Sequence, residues 1–292
     1  MTVTAPRVST WRQFNSSGTI TKLLLCRPDY YQDLPISETA NTSIDAGDKV
    51  DVALARRMYD EFVAALEGTD IELHWESPDP AHYWQVFTRD FGANTPAGPL
   101  VGRFKYAQRF GDEAFAIAAF DAIGVTVAAQ ITAGAVEGGD CWMLDEATLV
   151  IGSGNRSTLR GIANATELMA PLGIEVVPVE FLAKWNHLDM IFSVIGERTA
   201  LYSPDGLPEN YAELLIRKGW RLIPVPLAEV LKTGCNVLCL GGDRILSFAE
   251  NGIVNDMLRG EGLTVLAPPL REFTKMGGGP HCLTFELERS PT

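Results

Sequence analysis

Apolar residues along the chain fall into short blocks with two alternating periods. Between positions 48 and 67, Val50, Leu54, Met58, Phe62 and Ala65 recur at steps of three or four, the stripe of an amphipathic helix. Positions 155–172 and 208–218 carry similar stripes, and Pro208 suits a first helical turn. Helical stretches end on a glycine followed by a β-rich run, five times over: AALEGTDIELHW, FDAIGVTVAAQI, MAPLGIEVVPVE, LIRKGWRLIPVP and LRGEGLTVLAPP. Gly68, Gly124, Gly173, Gly219 and Gly262 therefore mark helix ends, where a left-handed residue is common. Short strands, ATLVIGS, TALYSP and RILSF, precede the last three helices. The unit is strand, helix, Gly, strand, recurring at roughly 43 to 56 residues. Five such units predict one closed α/β domain over residues 1–292 with approximate fivefold symmetry. A doubly wound parallel sheet would alternate in the same way. The regular spacing, and the lack of a GxGxxG after a first strand, favour the ring.

Composition narrows the class. The chain of 292 residues is 46% hydrophobic and 21% charged, ordinary for a globular protein. Its net charge of −13 argues against nucleic acid or an anionic membrane as default partner. No apolar run reaches the length of a membrane span, and MTVTAPRVSTWRQF at the N-terminus has no apolar signal core. Five scattered cysteines (26, 141, 235, 239 and 282) fit a reduced, cytoplasmic protein. A homodimer is the commonest assembly for a soluble oligomer. Residues 76–100, rich in Pro, Gly and aromatics, read as an irregular functional loop, and 30–48 as a candidate lid.

Four clusters outside the helices carry candidate chemistry: Phe87-Thr88-Arg89-Asp90, Glu137-Gly138-Gly139-Asp140, His187-Leu188-Asp189, and Gly277-Gly278-Gly279-Pro280-His281-Cys282. Three glycines before a histidine and a cysteine allow close approach of chain to ligand. A thiolate there serves as a nucleophile, although a free Cys is more often a small buried hydrophobe. His187 reads as either a structural or a catalytic histidine. With Asp189 it lacks a companion His or Cys at metal-ligand spacing, so no metal is expected. His281 neighbours Cys282 along an extended chain and so points away from it. Asp140 fits a turn, a shape that Gly241-Gly242-Asp243 repeats, whereas Leu240 stands where Glu137 would. That asymmetry singles out Glu137.

Taken in order, these clusters resemble the pentein superfamily of guanidino-modifying enzymes: dimethylarginine dimethylaminohydrolases, arginine deiminases and amidinotransferases. The resemblance starts at TITKLLLCRP (19–28) and runs through FTRD, EGGD and HLD to GGGPHCLT. It implies a five-bladed α/β propeller. It also implies Cys282 as nucleophile, His187 as general acid and base, and Glu137 as the carboxylate holding the histidine. Asp90 and Asp189 would grip the guanidinium, and Arg156, with Arg109 as a second arginine, would bind a substrate carboxylate. The implied activity is hydrolysis of a guanidino compound (arginine, a methylated arginine or a related acid) without cofactor. The histidine before the nucleophile is similar to the transferase pattern and keeps amidinotransfer as an alternative. A non-catalytic relative, such as a ribosome anti-association factor, is disfavoured because every catalytic position is filled.

Overall fold

A computed structural model describes residues 11–291; the expectation for the N-terminal leader lies largely outside them. Fifteen strands form five three-stranded sheets, each built on one plan. A first strand pairs antiparallel with a second, and the second pairs parallel with a third after a helical crossover. One blade contains β3 (Gly92–Ala93), β4 (Leu100–Val101) and β5 (Ala129–Gln130). The next holds β6 (Cys141–Asp145), β7 (Thr148–Ser153) and β8 (Glu175–Glu180). Then come β9 (Phe192–Gly196), β10 (Thr199–Tyr202) and β11 (Arg221–Pro224). The fourth in sequence is β12 (Leu238–Gly241), β13 (Arg244–Leu246) and β14 (Thr264–Leu266). The remaining blade closes the ring: β15 (Phe285–Arg289) pairs with β1 (Ile20–Cys26), which pairs with β2 (Glu72–Glu76). This is the five-bladed pseudo-fivefold α/β propeller.

The crossovers are the predicted helices. The first holds α1 (Glu38–Asp45) and α2 (Val52–Glu67); the others hold α3 (Asp112–Ala122), α4 (Leu159–Met169), α5 (Glu209–Arg217) and, after the short α6 (Leu227–Val230), α7 (Gly252–Gly260). A last short helix, α8 (Arg271–Thr274), leads toward the cysteine. In α2 the carboxylate of Asp51 caps the first turn by accepting from Leu54 N–H, and Ala55, Met58, Tyr59, Phe62, Val63 and Leu66 are buried. Four of the five helix-end glycines have φ between 75° and 83°, as a left-handed terminus requires. Gly68 is the exception, at φ −70°, because a further turn carries the chain on before β2. The candidate lid contains α1, capped by Ser37. The 76–100 segment is more ordered than its composition indicates, holding a 3-10 turn (Thr88–Phe91), β3 and the start of β4.

The predicted unit lacked its first strand. That strand matters, because the turn leading into it bears the polar cluster: Asp90 before β3, Glu137 and Asp140 before β6, His187 and Asp189 before β9, Cys282 before β15. Gly241-Gly242-Asp243 is not the equivalent of EGGD. It is the hairpin connecting β12 and β13, at the far end of the strand, with positive φ at both glycines. The equivalent position before β12 is Asn236.

Close backbone approach ties these turns together. A Cβ on Gly138 would stand 1.9 Å from the Gly92 carbonyl oxygen and 2.0 Å from that of Arg89. Neither oxygen can retreat without moving the turn that presents Asp90. Gly138→Ala is therefore expected to destabilise the protein by about 3 kcal/mol, in the range for forced overpacking, read as a lowered urea midpoint. Gly260→Ala, where a Cβ meets nothing within 4 Å, should leave the midpoint unchanged or raise it; equal losses in the two variants would contradict this packing.

Candidate active site

Each of the four polar clusters places one group at a shared, buried centre. Thr88–Phe91 is a 3-10 turn whose residues are all buried. Within it Arg89 and Asp90 part ways. Arg89 donates through Nη2 to Glu286 Oε1 at 2.8 Å and through Nε to the His281 carbonyl, fastening this turn to the segment that carries Cys282. Asp90 faces the centre. Its Oδ2 accepts from Arg109 Nη1 at 2.8 Å, while Oδ1 accepts no hydrogen bond from the described residues and lies 3.8 Å from His187 Nδ1.

His187 is held from the opposite side. Its Nε2 lies 3.1 Å from Glu137 Oε2, which also accepts from Arg156 Nη1 at 3.0 Å. Glu137 Oε1 accepts from the Lys105 backbone N–H. Gly139 allows this approach, since a Cβ there would be 2.7 Å from the imidazole Cγ. Asp140 is a brace: it accepts from the backbone N–H of Ser157 and of Leu188, locking the turn that carries His187 and Asp189. Burial pushes the Asp140 carboxyl up to about 7.

Cys282 is 5% exposed. Its Sγ lies 3.4 Å from Asp189 Oδ2 and accepts from Asn236 Nδ2 at 3.1 Å; its backbone N–H donates to Asn236 Oδ1. Asp189 Oδ2 also accepts from His281 Nδ1 at 2.8 Å, and His281 stacks on Trp142 with ring centroids 4.4 Å apart; residues 281–283 form a turn rather than the expected extended chain, so His281 does not point away but meets the same carboxylate oxygen as Cys282. Asp189 Oδ1, like Asp90 Oδ1, is buried with no donor among the described residues. Asn236 escaped the sequence reading. It lies in the apolar run CNVLCL, and only its place just ahead of the first strand β12 distinguishes it.

The two arginines are placed differently from each other. Every nitrogen of Arg156 has a protein partner: Nη1 on Glu137, Nε on Asn186 Oδ1 and Nη2 on the Ile36 carbonyl. Arg109 donates to Asp90 through Nη1 and to Asp112 Oδ2 through Nε at 2.5 Å, leaving Nη2 without a partner.

The electrostatics follow from burial opposed by pairing. Burial pulls the His187 pKa down, but Asp90, the hydrogen bond to Glu137, and Asp140 more than reverse it, raising it to about 9. Burial likewise favours neutral Glu137, yet Arg156 and His187 hold it well below the usual carboxylate range. Asp189 is also lowered, burial being outweighed by the hydrogen bond from His281. The Cys282 thiol is driven well above its ordinary value by burial, then by Asp189 and Asp90. Asp90, Glu137 and His187 are the one group with metal-ligand spacing among the described residues, their ligating atoms lying within 4.8 Å of one another. With the imidazolium favoured to about pH 9, the ring presents protons to its two carboxylates rather than lone pairs, which suits acid–base work better than metal ligation.

Known proteins resemble the chain along most of its length. The family model described as "N,N dimethylarginine dimethylhydrolase, eukaryotic" matches residues 35–289. The chain is 30% identical over 274 residues to the uncharacterized protein YkgA of Bacillus subtilis, covering 93% of both. It is 26% identical over 245 residues to an N(G),N(G)-dimethylarginine dimethylaminohydrolase of Streptomyces coelicolor, covering 82% of this chain and 88% of that one. Among solved structures, the product-bound N-terminal domain of ArgZ, a cyanobacterial arginine dihydrolase, superposes with a TM-score of 0.81 at 24% identity, over 93% of this chain and 98% of that one, and so shares the fold. The chain belongs to the dimethylarginine dimethylaminohydrolase family of the pentein superfamily, a family of guanidino-group hydrolases.

Proposed function

We propose that the protein hydrolyses the guanidino group of arginine, a methylated arginine or a closely related guanidino acid through a covalent adduct on Cys282. The observation that carries this reading is a pair of buried carboxylate oxygens, Asp90 Oδ1 and Asp189 Oδ1, left without donors beside the thiol. Unsatisfied buried acceptors are costly, and native proteins keep them where a ligand completes them. A guanidinium brings a positive charge and several N–H donors in one plane, the complement of two facing carboxylates.

In this mechanism the bound cation favours ionisation of the thiol, whose proton passes to solvent and is regained when the sulfur leaves the product; burial and two carboxylates otherwise oppose that ionisation. Sγ attacks the central guanidino carbon while Asn236 donates to the sulfur. His187, protonated at rest, gives its proton to the departing nitrogen; the C–N bond breaks and an S-alkylthiouronium remains. The neutral imidazole then takes a proton from water, whose oxygen adds to the same carbon. The C–S bond breaks, the thiol is restored and a ureido product leaves. Net, one water is consumed and one amine or ammonia released. Glu137 holds the imidazolium in place through Nε2, as the carboxylate of a Ser-His-Asp triad does. The ArgZ comparison supports arginine as one candidate substrate and the Streptomyces relative supports a methylated one.

The histidine before the cysteine does not favour transfer over hydrolysis here, since His281 is bonded to Asp189 and stacked on Trp142. All five cysteines are free and buried, in keeping with a reducing compartment. No helix among the described residues is long and apolar enough to cross a membrane.

A colorimetric ureido assay over L-arginine, its methylated forms and shorter guanidino acids should give a signal that Cys282→Ser abolishes. Signal surviving in the variant, or silence across the panel, would reject the proposal. The histidine supplies a second test. Its folded pKa of about 9 stands above the ordinary 6.5, so it contributes stability below pH 6.5 that is lost as pH rises through 9. Glu137→Gln should lower the His187 pKa measured by NMR and flatten the fall of urea stability between those two values. An unchanged pKa would show that Glu137 does not hold the imidazolium.

A further inference from the structure

Beyond the four clusters, a chain of ion pairs leads from the protein surface to Asp90. His82 sits on a turn after Ser77-Pro78-Asp79-Pro80, a sequence suited to one. Asp79 accepts from Ala81 N–H through Oδ1 and from His82 N–H through its carbonyl, and Gln85 Oε1 accepts from Asp79 N–H. The turn is thus tied down from within. It delivers His82 Nδ1 to Asp112 Oδ1, and the ring packs edge-on against Phe115 at 4.8 Å. Asp112 is fully buried in the first turn of α3, where the helix N-terminus favours a negative charge. Its other oxygen, Oδ2, accepts from Arg109 Nε.

This arrangement is unusual for an arginine. With Nε already on one carboxylate oxygen, the ordinary outcome is a fork, with a second guanidinium nitrogen on the other oxygen. Here the other oxygen belongs to His82. Arg109 makes a single bond to Asp112, whose carboxylate His82 holds from the other side. Its Nη1 reaches Asp90, and its Nη2 stays buried with no partner among the described residues. The guanidinium also lies 4.3 Å over the Phe104 ring, which fixes its plane.

We infer that His82 is a positioning residue for substrate binding: by holding Asp112 Oδ1 it fixes the carboxylate that anchors Arg109 Nε, and so keeps Arg109 Nη1 on Asp90. The inference rests on the hydrolase reading above. Without His82 the Asp112 carboxylate is free to turn, Arg109 turns with it, and Asp90 loses the bond that fixes its free oxygen.

His82→Ala should raise KM about tenfold, the order expected for one charge-assisted hydrogen bond, while kcat changes little. The substrate is L-arginine, or the methylated arginine that the ureido panel selects. His82→Asn, whose Nδ2 can donate from nearly the position of the imidazole Nδ1, should restore KM. Loss of packing alone predicts otherwise, because Asn replaces the ring no better than Ala does. An unchanged KM in His82→Ala, or equal KM in the Ala and Asn variants, overturns the inference and leaves the hydrolase reading standing. A wild-type protein silent toward every guanidino compound removes both.

Discussion

Charge buried without water must be paired, and that requirement governs the centre of this protein. Asp90, Glu137, Asp140, Asp189 and Glu286 are nearly or wholly inaccessible, as are Arg89, Arg109, Arg156 and Arg289. Some of these charges pair within a blade and others across blades. Glu286 of β15 accepts from Arg89, which precedes β3, as well as from Arg289; Glu137, before β6, meets His187, before β9. Removing one member of such a pair leaves an uncompensated charge, which costs about 3–5 kcal/mol. The ion pairs thus act as registration marks between blades. The site is exact in position because the fold cannot tolerate misregistration there.

The repeated plan explains how one chain assembles a five-part site from separated segments. A turn entering the first strand of each blade reaches the centre, and each turn bears one or two polar side chains: the acid Asp90, the acid holding the histidine, the histidine with a second acid, an amide, and the thiol. The helices do none of this chemistry. Their part is to carry the chain from the second strand to the third and to bury an apolar face on the outside.

The helical crossovers and their glycines were legible because they obey local rules: a 3.6-residue stripe and a left-handed terminus. The ring followed from their repetition. The first strands were not legible, since β3 is only two residues long, too short for any alternation to register, and β6, β9, β12 and β15 are buried along most of their length and so show no apolar–polar alternation. Asn236 was missed for a related reason, lying in an apolar run whose meaning depends on register with the other blades. The Gly241-Gly242-Asp243 echo misled because identical letters serve a hairpin at one end of a strand and an entry turn at the other. Residue identities along the four clusters were readable as chemistry. The partners of Arg109 and Arg156 were not, because apart from Asp112, three residues from Arg109, they are brought in by folding from 19 or more residues away.

One feature of the topology bears on how the protein comes to exist in a cell. The strand that completes the first blade, β15, follows all the others in the chain, and Cys282 lies just before it. During synthesis the other four turns emerge first, with their acids and histidine, while the sulfur is still to be added. Only when the last strand pairs with β1 does the thiol meet Asp189 and Asn236. Ring closure is therefore what brings the thiol into the cluster, and under the proposed mechanism a nascent chain has no competent site to misuse before its architecture is finished.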